Sequence, residues 1–168
     1  MNAKLDDLAV LDEKGTLNDQ GLGLLANLLE HLPRVHEGRW KEAFVPMVSK
    51  LVRVCVDLAV IRGHKVLMKW RDDEFFKGWE CPGGSLGPGE SWKDAAERFG
   101  QKEFGIKVCF LGKLETFNNT DNPKAQDVTV LLLCEPLEEP REGQWFDHRP
   151  ENMIPVHLKY WPEIVRHL

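Results

Sequence analysis

An α/β domain, with helices on both faces of a mixed β-sheet, is what three features of this 168-residue chain predict. Hydrophobic positions alternate with period two over residues 52–60 and again over 65–71, the repeat of β-strands. A glycine-rich turn at residues 82–89 leads into a proline-free helical run ending at Phe104, after which strand signals resume. Trp161, Ile164, Val165 and Leu168 then form a helical stripe near the end of the chain, despite Pro162. Strands on either side of a helix, with a second helix at the end, give an α/β/α sandwich.

Taken in order, the first element is a helix over residues 16–32, with Leu17, Leu22, Leu24, Leu25, Leu28, Leu29 and Leu32 as its apolar positions. Asn18 or Asp19 is its entry and Pro33 its stop. This divides the chain into an N-terminal helical extension, residues 1–45, packed on a domain of residues 46–168. The helix is expected to serve packing or an oligomer contact, which leaves a homodimer open, rather than substrate selection. Val52, Val54, Val56, Leu58 and Val60 alternate with a more mixed set, as in a strand with one fully buried face. Arg62-Gly63-His64 reads as a tight turn into the strand 65–71, completing a hairpin. Residues 72–78 are polar and aromatic, and Trp79-Glu80-Cys81 returns to the sheet just before the glycine turn.

Residues 91–104 form the next helix, with Gly105 as a left-handed terminator. A strand over 108–117 follows, then a turn cluster from Asn118 to Lys124 that is expected to face the mouth of the domain. Residues 128–134 are apolar on both faces, which suits a central strand. Glu135, Glu138, Glu139 and Glu142 precede Gln144-Trp145-Phe146, which re-enters the core.

The bulk numbers describe one ordinary domain that can bury a core without disulfides. Hydrophobic residues make up 42% and charged residues 29%, unlike disordered or collagen-like chains. No apolar run reaches the length of a membrane span, and the first residues lack a signal peptide's apolar segment, so a cytoplasmic protein without a membrane partner is expected. Cys55, Cys81, Cys109 and Cys134 lack the paired spacing of a zinc site and are expected as buried thiols. A net charge of -5 argues against a nucleic-acid partner but leaves a phosphate-bearing small molecule open.

The chemistry concentrates in Pro82-Gly83-Gly84-Ser85-Leu86-Gly87-Pro88-Gly89-Glu90 and the helix after it. Such a turn lets the backbone approach a ligand closely and direct its carbonyls toward one point, while Glu90 and Glu103 stand at opposite ends of one rod. The segment resembles the signature of Nudix hydrolases: Gly, five residues, Glu, seven residues, then Arg-Glu-aliphatic-any-Glu-Glu-any-Gly-aliphatic. Gly84, Glu90, Arg98, Glu103, Gly105 and Ile106 fall in register, whereas Phe99, Gly100 and Lys102 replace a Glu, an aliphatic residue and a second Glu. The resemblance implies the sandwich fold above and a Mg2+ or Mn2+ ion held by the Gly83 carbonyl and the Glu103 carboxylate. It further implies that Glu90 and Arg98 brace the loop, with Arg98 also near a phosphate.

Residue by residue, other roles remain open: Glu90 also suits a helix N-terminus, and Arg98 an ion pair with Asp94 four residues back. A lysine ammonium about 4 Å from a divalent ion costs roughly 8 kcal/mol at an effective dielectric near 20. Lys102 therefore argues for one metal rather than two or three.

Arg98-Phe99-Gly100-Gln101-Lys102-Glu103 is similar to the GDP-mannose mannosyl hydrolase branch of the family, which implies a nucleotide-sugar substrate. In that branch a late loop supplies a further metal ligand and the base. Glu138, Glu139, Glu142 and Gln144 are candidates for the ligand, Glu139 foremost, and His148 is the candidate base. The catalytic set is therefore Glu103, Arg98, Glu90 and His148, and the substrate set Arg71, Arg98 and Gly84. The metal set is Gly83, Glu103 and Glu139. A nucleoside diphosphate derivative is the expected small-molecule partner, and a nucleotide-binding sensor is the alternative to a hydrolase. Gly100 is expected to allow close packing of Phe99 or Trp92.

Overall fold

The computed structural model describes residues 9–31 and 47–168, and the chain divides into two compact units, Met1–Arg39 and Trp40–Leu168. In the first, helix α1 spans Asp19–Glu30. Asn18 caps it, its side chain accepting from the Gly21 amide and donating to the Ala9 carbonyl, both at 2.9 Å. Leu22, Leu24, Leu25, Leu28 and Leu29 are all exposed. Leu32, Pro33 and the expected boundary at residue 45 lie outside the described residues.

The second unit is built on a seven-stranded sheet. Strands β1 (Arg53–Arg62) and β2 (Lys65–Asp72) form the expected hairpin, joined by Gly63 and His64 at φ of 55° and 61°. Two successive positive φ values make a turn whose twist matches that of the strands. Strand β3 (Lys77–Glu80) pairs with β2, and the short β4 (Gly83–Ser85) pairs with the first half of β1. After the helix come β5 (Val108–Asn119), β6 (Asp127–Pro136) and β7 (Gln144–Phe146), the last pairing with β2. The order β3-β2-β1-β6-β5 contains one parallel pair, β1 with β6, so the sheet is mixed as expected.

Alternation along β1 sorts its side chains to two sides of the sheet. Val56, Leu58 and Val60 join the core that holds Ala95, Ala96 and Phe99 of helix α2 (Trp92–Phe99). Ala59 joins the core on the other side, with Tyr160 and Ile164. Ile164 belongs to helix α3 (Trp161–Val165), which a 3-10 turn at Pro155–Tyr160 precedes, so the expected C-terminal helix is split in two. Proline at the start of each piece explains the break, because its ring blocks continuation from the preceding turn.

The rod expected between Ser91 and Phe104 also changes character midway. Ser91 and Asp94 form a reciprocal capping box at its start. Beyond Phe99 the backbone widens into a π-helical turn, Gly100–Phe104, which Gly105 closes at a φ of 68°. Gly100 is packed against β5: a Cβ there would lie 2.9 Å from a Val108 methyl. Glu90 precedes the helix instead of starting it.

Cys55, Cys81 and Cys134 are buried free thiols, but Cys109 is exposed, because β5 lies at the edge of the sheet. Leu58 is fully buried in the core beneath α2. Leu58→Ala is expected to lower stability by about 2–5 kcal/mol, measured by urea unfolding with an unchanged m-value.

Candidate active site

Close approach of the glycine turn to β1 sets the geometry. Gly83 faces Asp57 in the β1–β4 register, and a Cβ on Gly83 would lie 1.9 Å from the Val56 carbonyl oxygen and 2.6 Å from Asp57 Oδ1. Only a residue without a side chain fits there. Arg98 then ties the turn to the helix. Its Nε and one terminal nitrogen donate to the two Glu90 carboxylate oxygens at 2.6 and 2.7 Å, and that same nitrogen donates to the Ser85 carbonyl at 3.1 Å. Glu90 also accepts from the Gly87 amide at 2.8 Å. Arg98 thus pairs with Glu90 and not with Asp94, which is engaged by Ser91. The bidentate fork is the strong form of this interaction, and it makes the loop and helix one body.

Beside this turn lies a pocket of about 120 Å³, with Gly83 and Gly84 in its wall. Three cationic side chains line it: Arg53, Arg71 and Lys124. Arg71 lies over the Phe76 ring and pairs with Asp73 and Glu80 at 2.7 and 3.1 Å. Burial, only partly offset by Arg71, lifts the Glu80 carboxyl above its ordinary range.

The floor of the pocket is a buried polar network. Asp57 Oδ2 accepts from the Tyr160 hydroxyl at 2.8 Å and lies 3.2 Å from His157 Nε2. His157 Nδ1 accepts from the Cys81 amide, so this tautomer carries its proton on Nε2, the nitrogen nearer Asp57. Burial foremost, then the Asp57 charge, hold the Tyr160 phenol well above its ordinary range. Alongside, Asp127 accepts from Asn119, Thr129, Asn122 and Arg53. Two buried atoms in this wall, Arg53 Nε and Asn119 Oδ1, have no hydrogen-bond partner among the described residues. Such atoms are costly unless something completes them.

Of the residues singled out from the sequence, Arg71, Gly83 and Gly84 meet in this pocket. Glu90 and Arg98 form the brace outside its lining. Glu103 sits on the π-helical turn, its carboxylate paired with Lys102 at 2.9 Å and Lys69 at 3.4 Å. Glu139 is exposed and forks with Arg62 on both oxygens, at 2.8 and 2.9 Å. His148 is 79% exposed at its side chain and bonds only its neighbour Asp147 among the described residues. Neither Glu139 nor His148 reaches the pocket.

A sequence profile of the NUDIX domain matches residues 51–158. The chain belongs to the NUDIX domain family. It is 33% identical over 89 residues to the low-salt glycan biosynthesis protein Agl8 of Haloferax volcanii, a match covering 51% of this chain and about half (53%) of that protein. Among solved structures it resembles a MutT NUDIX hydrolase from Burkholderia pseudomallei, with a TM-score of 0.59 and 22% identity over 67% of this chain and 98% of that one. An ADP-ribose pyrophosphatase from Streptococcus suis has a TM-score of 0.55 and 18% identity, covering 70% and 92% of the two chains. At these identities the likeness establishes the fold.

Nudix hydrolases generally need a divalent metal. Among the described residues no group of three or more His, Cys, Asp or Glu side chains is arranged to hold an ion. Phe99, in the register position of a family carboxylate, is buried against Gly84, where a Cβ would meet its ring at 3.1 Å. Asp57, Asn119, Asp127, Thr129, His157 and Tyr160 were not among the sequence candidates. One sign of them was visible: an aspartate in the middle of the apolar run Val54–Val60 has to be paired once buried.

Cys55 lines the pocket, yet burial foremost pushes its thiol up to about 12, which keeps it protonated at neutral pH. Iodoacetamide at pH 8 is expected to label Cys109 in the native protein and Cys55, Cys81 and Cys134 only after denaturation, as read by mass spectrometry. Tyr160→Phe leaves Asp57 one donor short and is expected to cost about 1–3 kcal/mol in denaturant unfolding.

Proposed function

We propose that this Nudix chain hydrolyses a nucleoside diphosphate linked to another moiety, with a nucleotide sugar as the favoured substrate. The observation that carries this reading is the pocket beside Gly83 and Gly84, which sets three cationic side chains against a floor of carboxylate and amide acceptors. Arg53, Arg71 and Lys124 meet the negative charge of a diphosphate, and Arg71 offers a planar fork suited to phosphate oxygens. Asp57 and Asn119 Oδ1 are acceptors for sugar hydroxyls. The relationship to a protein named for glycan biosynthesis favours a sugar on the same grounds.

In this reading water displaces the diphosphate, one bond to the bridging oxygen breaks, and the leaving oxyanion is met by Arg71. The proton of the attacking water passes to a pocket carboxylate, for which Asp57 and Glu80 are both placed in the lining. Cytoplasmic action on a small molecule agrees with the net charge of -5 and with the lack, among the described residues, of a helix long and apolar enough to cross a membrane.

A second reading, a binding module without turnover, is favoured by the pairing of Glu103 with two lysines and by Phe99. Calorimetry and product analysis over a panel of nucleoside diphosphate derivatives separate the two. Turnover of nucleotide sugars is expected, and Arg71→Gln is expected to weaken substrate binding by about 10- to 100-fold, the size of a lost charge-assisted contact. Tight binding with no product over hours selects the module, and neither binding nor product refutes both. In oxygen-18 water, label in the sugar rather than in the phosphate identifies attack at carbon.

A further inference from the structure

We infer that the resident cation of the Glu103 site is the ammonium of Lys69, and that this chain binds no divalent ion there. Lys69 Nζ lies 3.0 Å from the Glu103 carbonyl oxygen, 3.4 Å from Glu103 Oε2 and 2.8 Å from Glu142 Oε2. A lysine ammonium has three donors, and three oxygens from two residues take them. The second Glu103 oxygen, Oε1, is held by Lys102 Nζ at 2.9 Å. Both carboxylate oxygens and the carbonyl are therefore already turned toward positive charge.

The surroundings favour the ammonium over a metal. Magnesium asks for near-octahedral oxygen donors at short range, and the carboxylate and carbonyl oxygens of this corner are already engaged by Lys69 and Lys102. Phe99 brings an aromatic ring to its helix position, with the Arg98 guanidinium carbon 4.0 Å and Lys102 Nζ 5.7 Å from the ring centroid. A ring with two cationic groups over it thus stands where a carboxylate would add negative charge.

The fold gives the arrangement a direction. Lys69 and Arg71 are two residues apart on β2 and so share one side of the strand. Glu80 stands opposite Lys69 in the β2–β3 register and bonds Arg71. The internal ammonium thus continues the row of cations that enters the pocket, occupying the role a bound ion would otherwise take. Divalent ions at this position would have to displace Lys69 from all three oxygens.

The inference does not rest on the pocket having turnover, because its test is metal binding alone. Manganese is titrated into the full chain, and the free-ion signal is followed by electron paramagnetic resonance, with circular dichroism as the check on folding. The wild-type chain is expected to leave millimolar Mn2+ free at this site. Lys69→Met, which keeps the length of the side chain without its charge, is expected to bind Mn2+ at least about tenfold more tightly, and adding Glu103→Gln to remove that gain. Wild-type binding that Glu103→Gln abolishes overturns the inference, and so does a folded Lys69→Met chain with no gain in affinity. Wild-type binding that survives Glu103→Gln lies elsewhere and agrees with it. Should Lys69→Met fail to fold, the comparison of wild type with Glu103→Gln still decides.

Discussion

The contact of Gly83 with the β1 backbone is the constraint on which the site depends. With a side chain at this position the turn would stand away from β1, because a Cβ would collide with the Val56 carbonyl. Instead β4 adds to the sheet, Asp57 is brought against the turn, and Arg98 clamps the far side of the loop through Glu90 and Ser85. The pocket wall, the buried carboxylate and the helix that carries Glu103 are positioned by that single approach.

The polar floor shows how a sheet face can change its character along one strand. Toward the end of β1 its inward positions are apolar, and Ala59 packs with Leu131 and Tyr160. At the start the same alternation brings Arg53, Cys55 and Asp57 to the pocket, beside Asp127 and Thr129 of the parallel neighbour β6. Burying so many polar groups is tolerable because the carboxylates are matched: Asp57 accepts from Tyr160 with the His157 ring 3.2 Å away, and Asp127 has four donors. Two buried atoms of pocket-lining residues, Arg53 Nε and Asn119 Oδ1, stay unmatched among the described residues.

The architecture was legible because it rests on local periodicity: the β1–β2 hairpin, the helix after the glycine turn and the central strand β6 each follow from runs of a few residues. The family was legible for the same reason, since the spacing of Gly84, Glu90, Arg98 and Glu103 is a local pattern. What a local pattern does not encode is which distant residues meet. Asp57 and Tyr160 are separated by 103 positions, and the Cys81 amide and His157 by 76. Nothing in the run of either segment announces its partner. The π-helical turn escaped for a subtler reason: a widened turn differs from an α-turn in its hydrogen bonds and not in its hydrophobic repeat. The C-terminal stripe reads as one helix despite Pro162, whereas the segment is two short pieces, each with a proline in its first turn.

Parallel pairing of β1 with β6 has an effect on biogenesis. Its partners Arg53 and Asp127 are 74 positions apart, so the ladder closes a long loop, the kind of contact that is entropically slow to form. The Tyr160 hydroxyl, supplied later still, completes the floor. On a ribosome the binding cavity would thus be among the last features to assemble, and a nascent chain lacking its C-terminal turn would present Asp57 as an uncompensated acid. A complete pocket is in this way reserved for a polypeptide that has finished folding.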